Sequence, residues 1–111
     1  MLHDDSCITG DDLLITLEAL SNPHRLKIIA ILKRERQYVS QLAREVEMSR
    51  PLLYMHLQKL EKAGLVKSEL ELSDEGKAMK YFELVPFDIR INQEMITKAV
   101  ETLTFKKKEG K

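Results

Sequence analysis

Residues 40–66 read SQLAREVEMSRPLLYMHLQKLEKAGLV. Ser40 stands where it would cap a brief helix over 41–46, with Leu42, Ala43 and Val46 turned inward. Glu47-Met48 makes a tight turn. Ser49 caps a longer helix over 50–63, and Pro51 sits in its first turn, where a missing N–H costs little. Leu53, Leu57 and Leu60 recur at helical spacing as its apolar stripe, and Gly64 ends it as the residue past the cap. A short helix joined by a tight turn to a longer capped one is a helix-turn-helix unit. In such a unit the short helix braces the longer one, whose N-terminal turns are free to enter a major groove.

Downstream, the period changes from helical to alternating. Residues 66–72 read as a strand, with Leu70 and Leu72 on one face and Lys67, Glu69 and Glu71 on the other. Ser73-Asp74-Glu75-Gly76 is a turn signal, and 78–85 read as the returning strand. Lys77 and Lys80 are expected to face Glu69 and Glu71 across this hairpin. A hairpin directly after a helix-turn-helix is a wing. Pro86 interrupts, and a last helix follows over about 92–105, with Met95, Ile96, Ala99, Val100 and Leu103 on one side.

Upstream, Leu13, Leu14, Leu17 and Leu20 form a first helix behind Asp11 and Asp12, which suit its positive end. Asn22 and Pro23 start a second helix that runs to about Arg34, with Leu26, Ile29, Ala30 and Leu32 inside. Gln37-Tyr38-Val39 is short and β-prone. The fold class is therefore α+β, mostly α: a winged helix-turn-helix, with a two-stranded hairpin as the wing and a C-terminal helix beyond it. The expected division is a flexible N-terminus at 1–10, one domain at 11–105 and a flexible tail at 106–111. Within the domain, the helix-turn-helix spans about 40–63, the wing about 66–85 and the C-terminal helix about 92–105.

The 111 residues suit one domain, and 43% apolar residues suffice for one core. Eighteen basic residues balance eighteen acidic ones. That zero excludes a globally basic coat but hides a segregation. Residues 1–23 carry −5, residues 24–67 carry ten Lys/Arg against four acids (+6), and residues 68–111 carry −1. The basic charge lies on the middle part of the chain that contains the helix-turn-helix, a segregation that suits a nucleic-acid partner. No apolar run is long enough to span a bilayer, and no signal-peptide core is present in Met1 to Gly10. The single cysteine, Cys7, allows no intramolecular disulfide, which points to the cytoplasm. Whether Cys7 has a redox role is left open. There is no Gly-rich phosphate loop, no zincin helix and no paired-carboxylate arrangement, so the expectation is a non-enzyme.

Two stretches carry a family resemblance. Leu17-Glu18-Ala19-Leu20-Ser21-Asn22-Pro23-His24-Arg25-Leu26-Lys27-Ile28 resembles the L-x-A-L-x-x-P-x-R-L-x-I pattern of ArsR-type winged-helix transcriptional regulators. Ser49 to Val66, with His56-Leu57, Leu60 and Ala63-Gly64-Leu65-Val66, resembles that family's recognition helix and following strand. The likeness covers about residues 11–85. It implies a sequence-specific regulator of transcription, a homodimeric repressor on double-stranded DNA, with the terminal helices at the dimer interface. The residues suited to that interface are Leu13, Leu14, Leu17, Met95, Ile96, Ala99, Val100 and Leu103.

Helical phase assigns the DNA contacts. Arg50 is the foremost base or phosphate contact, and Pro51 shares its outward face. Tyr54 and Gln58 can exchange hydrogen bonds, while Lys59 and Lys62 suit phosphates or are solvated charges. Ser40 and Ser49 are either phosphate contacts or caps. Leu52 and Met55 place apolar groups where the family often has small polar or basic ones, which fits thymine methyls or a protein partner. Asp74-Glu75 makes the wing tip acidic where the family often has Arg, leaving Lys77 and Lys80 as the wing cations. His56 is read as structural and His24 as surface.

Many family members release DNA when a metal binds. One site type uses Cys-x-Cys in the short helix, but Val39-Ser40-Gln41 has no thiol. Another uses Asp and His on the last helix, and 92–105 contain no His. His3, Asp4, Asp5 and Cys7 cluster only on the N-terminal end. No cofactor or metal is therefore expected, while a small-molecule effector of unnamed chemistry stays open. The rival reading is a winged-helix protein-interaction module with weak or no DNA binding.

Overall fold

The computed structural model describes residues 8–105. The expectations placed on 1–7 and 106–111, including those on His3, Asp4, Asp5 and Cys7, lie outside the described residues. The elements in order are α1 (Gly10–Leu20), α2 (Pro23–Arg34), β1 (Gln37–Tyr38), α3 (Val39–Val46), α4 (Arg50–Lys62), β2 (Val66–Leu72), β3 (Ala78–Leu84) and α5 (Gln93–Val100). Ile28, Leu42, Leu53, Leu57, Leu60, Leu65 and Phe82 are fully buried and join the helices to the sheet. No described helix is long and apolar enough to cross a membrane.

Capping chemistry sets most boundaries. Asn22 accepts from the His24 and Arg25 amides, with Pro23 opening α2. Gly64, at φ +75°, follows α4, and the Leu65 amide donates back to the Leu60 carbonyl. Glu47 closes α3 in the left-handed region at φ +58°, a conformation that costs a non-glycine residue about 1–2 kcal/mol. The Met48 amide bonds the Ala43 carbonyl beside it, which holds the tight turn.

Several local expectations are corrected. The β-prone Gln37-Tyr38 pairs with Phe82 and Tyr81 of β3, so the wing belongs to a three-stranded antiparallel sheet of order β1-β3-β2. α3 begins at Val39, which puts Ser40 inside its first turn; Gln41 accepts from the Tyr38 amide in the capping role instead. α1 reaches back to Gly10, with Thr9 accepting from the Asp12 amide, so residues 8–10 are part of the folded domain. α5 stops at Val100 rather than near 105, because the chain beyond it turns onto α1. The Thr102 hydroxyl accepts from the Gly10 amide, and Asp11 accepts from the Thr104 amide, which holds the Asp11 carboxyl below its ordinary pKa.

The phase of α2 also differs. Arg25, Ile28, Ile31 and Leu32 are its buried residues, while Leu26 and Ala30 face outward. With Ile29, Leu84, Pro86 and Phe87 those two line a groove of about 620 Å³. The cause is Arg25: a polar residue occupies the inward row, and the leucine that would have been placed there turns to solvent.

Candidate nucleic-acid interface

α4 is held from below and free above. Leu53, Leu57 and Leu60 have no exposure, which fixes its rotation. The opposite face shows Arg50, Pro51, Leu52, Met55, Gln58, Lys59 and Lys62 to solvent. Ser49 caps the helix by accepting from the Leu52 amide at 3.4 Å. No acidic residue lies in the first turn, so the positive end of the helix dipole is uncompensated. Arg50, Lys59 and Lys62 form no ion pair among the described residues, whereas Arg34, Arg36 and Lys67 are paired to Glu45, Glu71 and Glu83. The cations of α4 therefore remain available to an external anion.

Tyr54 is half-buried. Its ring meets Phe82 edge-on at 6.2 Å between centroids, so its body packs on the core and only part of it reaches solvent. Ser40, in the first turn of α3, is half-buried as well.

The wing register overturns the expected lysine–glutamate pairing. Glu69 lies opposite Tyr81, Glu71 opposite Met79, and Lys80 opposite Leu70. Lys77 belongs to the turn, where its amide donates to the Ser73 hydroxyl at 3.1 Å and Gly76 takes φ +80°. Directly opposed residues share a face. Glu71 instead holds Arg36 through two bonds of 2.6 and 3.0 Å, and Arg36 lies 4.2 Å over the Tyr81 ring. That pairing lowers the Glu71 pKa and raises that of Arg36. Lys80 emerges on the other face. Its Nζ lies 5.9 Å from the Tyr54 ring and 5.6 Å from Phe82, which brings a wing cation to the side of α4. Leu70 and Leu72 share that face and are 68% and 76% exposed.

A buried arginine joins the recognition element to the first helix. Arg25 Nε donates to the Ala19 carbonyl at 2.7 Å and Nη2 to the Glu18 carbonyl at 3.0 Å. A cation here satisfies the unpaired carbonyls that end α1. Nη1 lies 3.0 Å from Nδ1 of His56 on α4. Arg25 is always a donor, so His56 accepts at Nδ1 and carries its proton on Nε2. Burial first, then Arg25 and His24, push the His56 pKa below its ordinary value. The structural reading of His56 fits this arrangement, while the role of Arg25 was missed. Its place in the first quoted motif, two residues after Pro23, was the available signal.

Apart from this connection, α1 and α5 pack together. A Cβ on Gly10 would collide with the Ala99 carbonyl oxygen, so the helices approach closely there. Leu13 and Ala99, assigned to an intermolecular interface, are buried within the chain. Met95 and Leu103 are half-buried, and Leu14, Leu17, Ile96 and Val100 are exposed. Among the described residues no group of three or more His, Cys, Asp and Glu side chains converges as a metal site would.

Comparison with known proteins gives a consistent picture. The family model described as "Bacterial regulatory protein, arsR family" matches residues 22–68. An uncharacterized HTH-type transcriptional regulator of Methanocaldococcus jannaschii is 44% identical over 84 residues, covering 76% of this chain and 87% of the relative. The homodimeric winged helix-turn-helix DNA-binding domain of a possible ArsR-family regulator from Mycobacterium bovis superposes with a TM-score of 0.59 at 27% identity. That match covers 67% of this chain and 64% of the other. HlyU from Vibrio cholerae superposes with a TM-score of 0.58 at 23% identity, over 82% of this chain and 87% of the other, a likeness of fold.

Proposed function

This chain belongs to the ArsR family of DNA-binding winged-helix transcriptional regulators, and from that premise we propose that it is a cytoplasmic homodimeric repressor acting without the family's common metal sites. The carrying observation is the set of unpaired cations on the exposed face of α4, joined from the wing by Lys80. Arg50, Gln58, Lys59 and Lys62 meet bases and phosphates in the major groove, with Ser49, Pro51, Tyr54 and Met55 on the same surface. Ser40 and the wing cations Lys77 and Lys80 lie at its margins. The two common site types lack their thiol and histidine ligands: 39–41 are Val, Ser and Gln, and 92–105 contain no histidine.

Exposed Leu14, Leu17, Ile96 and Val100, edged by Met95 and Leu103, are the surface on which a second copy closes. Leu13 and Ala99 support it from within. The homodimeric Mycobacterium bovis neighbour supports this reading. Two copies set two α4 helices about 34 Å apart on a pseudo-palindromic site.

The test is a gel shift on the chain's own promoter region. Binding weakens steeply with salt, and Arg50→Ala lowers affinity by about tenfold, a loss of about 1.4 kcal/mol. If Arg50 meets phosphate, the salt slope also falls by about 1. Undetectable binding at low salt overturns the proposal. A second reading, a protein-interaction module, is favoured by exposed Leu70 and Leu72 and the acidic tip at Asp74 and Glu75. One stoichiometric partner retained after nuclease treatment, with no operator bound, would select it.

A further inference from the structure

We propose that Leu52 and Met55 read thymine C5-methyl groups, so that thymines at fixed positions specify each half-site; this deepens, and rests on, the DNA-binding reading above. Leu52 is 42% and Met55 61% exposed, while Leu53 and Leu57 of the same helix are fully buried. The core is already filled by the neighbouring row, so packing within the chain does not account for these two side chains. They are three residues apart and share one face. They occupy the first two turns of α4, the part of a recognition helix that enters the groove.

The surrounding charge identifies the occupant. Arg50 precedes the pair, Lys59 and Lys62 follow it, and none is paired among the described residues. Glu61 is the only acid in α4 and is half-buried. A protein partner covering Leu52 and Met55 would have to desolvate these cations or supply carboxylates for each. A duplex supplies phosphates on both sides of the groove. Between them, the apolar group presented by the bases is the thymine methyl. The apolar pair flanked by cations matches that arrangement.

The test is selection of duplexes from a random-sequence library with the full chain, then fluorescence anisotropy on the enriched duplex. The same duplex is remade with deoxyuridine for thymine, which removes the methyl and keeps every hydrogen-bonding group. Thymines are enriched at fixed half-site positions, and affinity falls about fourfold per contacted methyl, the change that corresponds to burial of one methylene-sized group. Leu52→Ala and Met55→Ala each narrow the difference between the two duplexes, and the double variant binds them alike, whereas Lys62→Ala weakens both equally. Thermal melts of the variants confirm that they fold. Equal wild-type affinity for the two duplexes overturns the inference and leaves DNA binding intact. So does a thymine preference that survives both alanine substitutions, or capture of a protein partner that both substitutions abolish. No enrichment of any duplex overturns the reading on which the inference rests.

Discussion

Two surfaces of this molecule show apolar side chains to water, and their surroundings differ. On α4, Leu52 and Met55 stand among Arg50, Lys59 and Lys62. On α1 and α5, Leu14, Leu17, Ile96 and Val100 stand near Asp11, Asp12, Glu18, Glu94 and Glu101, with Lys98 the one α5 cation. Exposed apolar area alone marks a place for a partner. The adjoining charge differs, basic around α4 and mostly acidic around α1 and α5, and on the proposed reading it separates a polyanion from a second protein surface. It also explains why net charge was uninformative: the acidic N-terminal segment and the basic middle segment cancel in the sum while lying apart along the chain.

The strongest way to break this contrast is to place charge at the α1–α5 surface. Leu17→Glu combined with Ile96→Glu buries unpaired carboxylates in a dimer closed on this surface, at a cost of about 3 kcal/mol or more. Sedimentation should show dimerisation weakened at least about a hundredfold, with operator affinity falling alongside it. An unchanged dimer would assign this surface to some other partner.

A smaller effect is expected from Gly10→Ala. The added methyl meets the Ala99 carbonyl and Leu103, and overpacking of this kind costs about 1–3 kcal/mol. The melting temperature falls, and the Gly10–Thr102 and Asp11–Thr104 bonds open, as hydrogen exchange would show. An unaltered melt would mean that the two helices can separate without loss.

The smallest effect concerns the connection between the two surfaces. The pKa of His56 is lowered in the folded state, so the unfolded chain binds the proton first as pH falls. Stability is complete above the ordinary histidine value and is lost as pH drops through about 6.5 toward the folded value. Melts between pH 7.5 and 5 should show this loss, and His56→Gln should remove that component. Parallel curves for the two proteins would exclude His56 as its source.

What the sequence disclosed follows from range. Ser49, Pro51 and Gly64 act within a few residues, and the leucine row of α4 has an unambiguous period, so that helix was legible. The hairpin was legible as a hairpin, but its register was not. Taking Lys80 as facing Glu69 and Glu71 put it on the wrong face, since adjacent strand residues point oppositely. Arg25 enters the sequence reading only in the charge count and the family motif, because its partners at 18, 19 and 56 meet it through the fold. The end of α5 was overextended for the same reason: Thr102 and Thr104 are taken by Gly10 and Asp11, about ninety residues away.

The Arg25 bonds have a mechanical consequence. One guanidinium grips the last carbonyls of α1 and, with its remaining arm, the histidine midway along α4. Tilting α1 must therefore carry α4 with it or sever these bonds. In a dimer closed through α1, the angle between the protomers and the span between the two reading helices are geared together. An effector would need to act on only one of them to reset both.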